Sequence, residues 1–404
     1  MPTTKAQPAA AAALNAHFDT RTAAYELAAH LREGLAKAGG DGGSARCDAV
    51  ALFGSYHHRA AFEDAAEILR HELEPGVLVG TTADSVVGGD TELEGRAGLS
   101  ALALRVPGAS LRPFRLGMHE LLTSTDAPEL FRQYLGVDEQ RRTAIVFADP
   151  FTTPAARLLP LLRGTADLPA VSAIGGFASG ASQPGQNVLL LDRAAYIDGM
   201  VGIAIGGVRV DALISQGCRP VGPPLVVTKA AGNMILELGG RRAVEAAQGV
   251  VFAMNESDRA LLSRGLQVGV VVNEYQARFG RGDFVVRGIL GVNARNGGLA
   301  VNDMPRVGQT IQFHLRDPAT AEEDLQLLLD AAQLEDRPFA SLLFSCAGRG
   351  TRLFSEPNRD VGAIQRRLGP LPLAGFSATG EIGPLGDRCL VHGHTVCAAL
   401  LRGA

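Results

Sequence analysis

Apolar residues recur at helical spacing through TRTAAYELAAHLREGLAKAGG, residues 20–40, and a glycine pair follows the last of them. That is the pattern of an amphipathic helix with a glycine stop. CDAVALFGS, residues 47–55, is instead a continuous apolar run of strand length. AAFEDAAEILRHELEPG returns to helical periodicity, and VLVGTTADSVVGG and LSALALRV read as further strands around a glycine-bearing corner. The same order comes back twice. AIVFADP, a helix ending in LLPLLRG, AVSAIGGFASGASQPG and MVGIAIGG make a second copy; ASLLFSCAGRG, DVGAIQRRLG, LAGFSATGEIGP and HTVCAALL make a third. Leu52 and Gly80 are 28 positions apart, Val146 and Gly176 30, and Leu343 and Gly375 32, so the supersecondary units are of similar size. The final strand of each copy is apolar nearly throughout, which implies burial on both faces. These patterns predict an α/β chain of mixed α+β type, a layered helix-on-sheet architecture built from strand–helix–strand–strand quasi-repeats.

Between the second and third copies, Gly206 to Arg337 reads as hairpins with polar, glycine-bearing turns and one charged helix, TAEEDLQLLLDAAQLED. CRPVGPP, just before new strands begin, marks a boundary near residue 230. The expected division is a disordered alanine-rich tail over 1–16, one domain over 17–229 and a second over 230–404.

Composition narrows the function classes. A chain of 404 residues with 46% hydrophobic and 20% charged residues is globular rather than disordered. Its net charge of -4 provides no positive field, so nucleic acid is not an expected partner. Five cysteines, an odd count without a secretory signal, predict reduced thiols and a cytoplasmic location. The alanine run near the start is too weakly apolar for a membrane span, and GMVGIAIGGV is broken by glycines, so no membrane association is expected. GGFASG has the glycines of a dinucleotide loop, but SQPGQNV leads into a strand where a helix should follow. No cofactor is expected.

FSCAGRG, GFSATGEIGP and HGHT, in that order, resemble the FIST C-terminal domain, and LFGSYHH, VGTTADSVVGG and LSALAL resemble the FIST N-terminal domain; SQGCRPVGPP is similar to the join between them. The resemblance spans roughly residues 45–402. It implies a sensory domain of intracellular signal transduction that binds small ligands, amino acids among them, and implies no known reaction. The flanks are too short for a fused F-box or signalling module, so output is expected through a partner protein, a homo-oligomer or the ligand itself.

Candidate chemistry gathers in the third copy. Cys346 follows an apolar strand, and Gly348 and Gly350 let a ligand approach the backbone closely; Arg349 suits a carboxylate or phosphate held bidentately. A tight turn with a buried thiol is the plain alternative. Glu381, beside Gly380, could bind an amine, and with Arg349 it would suit a zwitterion, or the two could simply pair; Phe376 would supply an apolar wall. Cys389, His392, His394 and Cys397 spell C-x2-H-x-H-x2-C, but on one extended strand the cysteines would be roughly 26 Å apart, which argues against a shared tetrahedral ion. No metal is expected. On such a strand His392 and His394 share a face, and one could line a pocket. Arg219, in the rigid SQGCRPVGPP, could anchor the junction or enter a cleft there. His57 and His58 correspond to Ala347 and Gly348 of the third copy and are further pocket candidates.

Three readings follow. A small-molecule ligand, amino-acid-like or a small carboxylate, binds in a pocket of the C-terminal domain to Cys346, Gly348, Arg349, Gly350, Phe376, Gly380, Glu381, His392, His394 and Arg219. Alternatively Cys346 is the nucleophile of an acyl-transfer or hydrolytic enzyme, with His392 or His394 as base. A scaffold for a signalling partner protein, without a pocket, is the third.

Overall fold

The computed structural model describes residues 7–38, 46–166 and 168–403. Among the described residues the chain divides into two compact units, one from Met1–Ile214, Gln326–Val391 and Val396–Ala404, the other from Ser215–Leu325 with His392–Thr395.

The first unit holds three six-stranded sheets. Each is centred on a parallel pair: Ala49–Ser55 with Val77–Ala83, Thr143–Ala148 with Ser172–Phe177, and Ala340–Cys346 with Leu373–Ala378. An antiparallel strand flanks each pair, respectively Leu99–Arg105, Met200–Gly206 and Thr395–Arg402. Beyond it lies an outer strand, Ala9–Asn15, Ser110–Leu116 or Arg209–Gln216. The quasi-repeats read from the sequence are therefore real, and each is one outer strand larger than expected.

The sixfold strand count comes from an exchange of hairpins. Val86–Gly88 and Thr91–Leu93, from the first repeat, add to the third repeat's sheet through Ala374↔Gly88. Leu189–Leu191 and Ala194–Tyr196, from the second, add to the first through Leu189↔Thr81. Glu381–Leu385, from the third, adds to the second through Glu381↔Gly176. Each repeat thus completes a neighbour's sheet, and none closes its sheet alone.

Register explains the recurrent glycines. The parallel partners are Leu52↔Gly80, Val146↔Gly175 and Leu343↔Gly375, so the second copy is one residue tighter than its expected Val146–Gly176 interval. A Cβ at these glycines would lie 2.3, 1.8 and 1.8 Å from the carbonyl oxygens of Leu52, Val146 and Leu343. Only glycine fits. One position further along, Phe53, Phe147 and Phe344 meet with Phe376 in an aromatic cluster with centroids 5.1–6.0 Å apart, largely tilted or edge-on, as ring quadrupoles prefer.

Two expectations are corrected. The alanine-rich segment is not a disordered tail: Ala9–Asn15 pairs along its whole length with Leu99–Arg105 and buries Ala9, Ala10, Ala11 and Ala13. Its small side chains are what the site needs, since the helix Thr20–Ala38 lies close enough that a Cβ on Gly34 would come within 2.7 Å of Ala11. The Gly39–Gly40 stop of that helix, and residues 1–6 of the expected tail, fall outside the described residues. The expected boundary at 229/230 falls inside the continuous strand Cys218–Ala231. That strand pairs with Thr310–Arg316 through its first half and with Met234–Leu238 through its second, closing the second unit's sheet on itself. Val227, Ile235, Phe313 and Leu315 fill its core, with Ala247 and Val250 of the helix Ala243–Ala253 packed against them.

Candidate functional site

The parallel pairs end in three equivalent corners, where register places Ser55, Asp149 and Cys346 at matching positions. At two of them the polar group is satisfied by its own surroundings. Ser55 Oγ accepts from the Gly98 N–H at 3.0 Å. Asp149, fully buried, accepts from Asn187 Nδ2 at 3.0 Å, Thr152 Oγ1 at 2.8 Å and the Phe151 N–H at 3.2 Å. The third corner carries a half-buried thiol on the wall of a cavity of about 210 Å³.

The loop after Cys346 is tightly built. The Arg349 N–H donates to the Cys346 carbonyl at 2.7 Å, and the Gly348 N–H lies 3.5 Å from Cys346 Sγ. Arg349 turns inward and is buried; its Nε and Nη2 donate to Asp360 at 2.8 and 2.7 Å, while Ser345 Oγ reaches the same carboxylate at 3.1 Å. Burial works against the guanidinium's charge, but the charge and hydrogen bonds of Asp360 outweigh it, helped by Cys346 and Glu381, and hold its pKa above the ordinary value. Gly350 sits at φ +56°, where a Cβ would lie 2.5 Å from Glu94.

The opposite wall belongs to the first repeat. Its exchanged hairpin brings Asp84, Ser85, Glu92 and Glu94 to the cavity. Glu94 accepts from the Thr351 N–H at 3.0 and 3.1 Å and from Thr351 Oγ1 at 2.6 Å. Glu92 accepts from the Val361 N–H at 3.0 Å, and its own N–H donates to Asn358 Oδ1 at 2.7 Å. Burial, then the neighbouring charge of Asp360, push the Glu92 carboxyl up to about 7. At the rim the Arg352 guanidinium lies 3.6 Å from Asp84.

Cys346, Arg349 and Gly350 are the sequence-predicted site residues that line this cavity. Gly348 is not among its lining residues. Phe376 is not an apolar pocket wall, because its ring is spent in the central aromatic cluster. The Gly380 carbonyl is taken by the Phe177 N–H at 2.9 Å, and Glu381 is fully buried on a strand paired with Gly176, where its charge acts on Arg349 but does not face the cavity. His392 and His394 do not share a strand face: Arg388–His392 and Thr395–Arg402 are separate strands joined by a turn, with His394 at φ +60°. That turn belongs to the second unit, where His394 Nε2 lies 3.2 Å from Gln267 Oε1. Arg219 is held by Asp258 at 2.6 Å and Asp317 at 3.0 Å within the same unit. The pairing register aligns His58 with Arg349, one position from the expected match; it bonds Thr20 Oγ1 at 2.9 Å, and burial pushes its imidazole down to about 4. No described histidine lines the cavity. Among the described residues no group of His, Cys, Asp and Glu is placed to hold a metal ion. No helix of the described residues is long and apolar enough to cross a membrane.

Residues 48–241 match the family model of the FIST N domain, and residues 243–384 that of the FIST C domain. Uncharacterized proteins of Mycobacterium tuberculosis and Mycobacterium bovis are 37% identical over 384 residues, covering 95% of this chain and 96% of theirs. A crystal structure of a cyanuric acid hydrolase from A. caulinodans covers 98% of this chain and 100% of its own at 11% identity and a TM-score of 0.32, too slight a likeness to bear on fold or function. The cavity takes Asp84 to Gly95 from the first matched segment and Ser345 to Ser377 from the second, so it is not a pocket of the C-terminal segment alone.

Proposed function

Because this chain belongs to the FIST family, whose domains are generally sensory modules of signalling, we propose that it is a sensor that binds a small amine-bearing ligand in the cavity beside Cys346. The observation that carries this reading is the charge of the cavity wall. Asp84 and Glu94 line it as carboxylates, with Glu92 beside them, against Arg349 and Arg352; Arg349 already spends two of its donors on Asp360, and Arg352 faces Asp84 at 3.6 Å. A free carboxylate would have to compete with Asp360 for that guanidinium, whereas an ammonium group meets carboxylates on the hairpin side. An amino acid remains within this class through its amine; a plain small carboxylate is disfavoured.

A thermal-shift series with monoamines, diamines and amino acids, run beside matched simple carboxylates, tests the reading. An amine at a hundred times its Kd is expected to add about 2.7 kcal/mol of stability, and Asp84→Asn with Glu94→Gln should abolish the gain. Stabilisation by carboxylates but not by amines would overturn it.

A further inference from the structure

Among the five cysteines, access separates one from the rest. Cys47, Cys218, Cys389 and Cys397 are buried, and burial pushes the thiols of Cys397, Cys389 and Cys47 up, the last to about 12. Cys346 is half-buried on the wall of the cavity of about 210 Å³. Its Sγ accepts from the Gly348 N–H at 3.5 Å, and the buried Arg349 guanidinium lines the same wall, so that a thiolate there and the guanidinium favour each other's charge. A backbone donor, a fixed cation and access to solutes are what turn a thiol into a nucleophile. Across the cavity stand Asp84 and Glu94, with Glu92 beside them, and these oppose a further negative charge. An ammonium group brought between the two walls removes that opposition.

We propose that Cys346 anchors the amine-bearing ligand covalently, by thiol–disulfide exchange with a small cationic disulfide of the aminothiol class. The Cys346 thiolate attacks one sulfur of the ligand. The new S–S bond to Sγ forms as the ligand's own S–S bond breaks, and the departing thiolate takes up the proton that Cys346 released. Cys346 is thereby oxidised to the mixed disulfide, the departing half is reduced to a thiol, and no other oxidant takes part. The retained half carries its ammonium to the carboxylate wall. At about 30 Å³ per water the cavity has room for roughly seven, enough for a two-carbon aminothiol and too little for a peptide-sized one. Excess aminothiol reverses the step, so the bound fraction follows the ratio of disulfide to thiol around the protein.

This inference rests on the amine reading of the same cavity and names its ligand class more closely. The full chain is treated with three disulfides of similar length and different charge: cystamine, hydroxyethyl disulfide and dithiodipropionate. Adducts are followed by intact mass and placed by peptide mapping, and each rate is divided by that of the same disulfide with a small reference thiol, which removes differences in intrinsic reactivity. A single adduct at Cys346 is expected, with corrected rates falling by about tenfold or more from cystamine through the neutral disulfide to the anion. That order should flatten in Asp84→Asn with Glu94→Gln and, in the unaltered chain, as salt is raised. Corrected rates that ignore charge, adducts placed mainly at another cysteine, or a Cys346 that stays unmodified would overturn the covalent anchor. Cys346→Ser separates the two readings. Amines that still stabilise this variant, beside a wild-type exchange without charge preference, would leave the amine site standing and remove the anchor; charge-selective exchange without any amine stabilisation would support the anchor and remove reversible amine binding.

Discussion

Asp360→Ala is expected to destabilise the protein by about 3–5 kcal/mol, the largest single side-chain effect at the site, because it removes the bidentate partner of a fully buried guanidinium. Arg349 cannot swing out to water without dismantling the Cys346 loop, whose turn is closed by the Arg349 N–H on the Cys346 carbonyl. Ser345 Oγ loses the same acceptor. Denaturant unfolding should therefore show a lower midpoint at unchanged slope. Asp360→Asn, which keeps an oxygen for Arg349 but not the charge, should cost less. The pair Arg349→Met with Asp360→Leu should recover part of the loss, since removing both charges spares the desolvation that one alone must bear. A stability within about 1 kcal/mol of wild type for Asp360→Ala would mean that Arg349 is compensated elsewhere.

The same ion pair shows where sequence reading stops. Arg349 was legible as a guanidinium on a strand-end loop, and that position is correct. Its partner was not legible, because Asp360 lies in the first turn of a helix eleven residues on and nothing in the local pattern distinguishes it from any acidic residue in such a turn. Glu381, the partner considered from sequence, does act on Arg349, but from a buried strand rather than across a cleft. The repeats were legible because their cause is local: a strand–helix–strand unit fixes its own hydrophobic periods and its own glycine. The exchange of hairpins was not, because it pairs segments far apart in sequence, such as Gly88 with Ala374, Gly176 with Glu381 and Thr81 with Leu189. Asp84, Glu92 and Glu94 were missed for that reason. The available signal was a cluster of acidic residues around VGTTADSVVGG and the following TELEG, in a corner otherwise apolar.

Two local misreadings have local causes. The turn at His394 demands a positive φ, which sequence assigns by default to glycine; with Gly393 beside it, the extended-strand reading put both histidines on one face when a turn in fact separates the two strands. The alanine strand was passed over because alanine carries little β propensity, yet a helix packed as closely as Thr20–Ala38 leaves no space for the branched residues that normally announce a strand.

Gly375→Ala should cost about 3 kcal/mol or more, and Gly175→Ala a similar amount, for a reason common to all three repeats. Each added methyl would stand 1.8 Å from a backbone carbonyl oxygen of the parallel partner, at Leu343 and Val146 respectively, and backbone cannot step aside as a side-chain tip can. The strands would have to part where Phe344 and Phe376, one position further along, hold the shared aromatic cluster, so the strain should spread into packing that joins the repeats. Gly80→Ala, with 2.3 Å to the Leu52 carbonyl, should be milder. Gly249→Ala is the matched control: it lies inside the helix Ala243–Ala253 with nothing within 4 Å of the added methyl, and should be neutral or stabilising by about 0.4–1 kcal/mol. Thermal unfolding of the four variants gives the ranking directly. If Gly375→Ala were tolerated as well as Gly249→Ala, the close approach of the parallel pair, and with it the geometric reason for a glycine in each repeat, would be wrong.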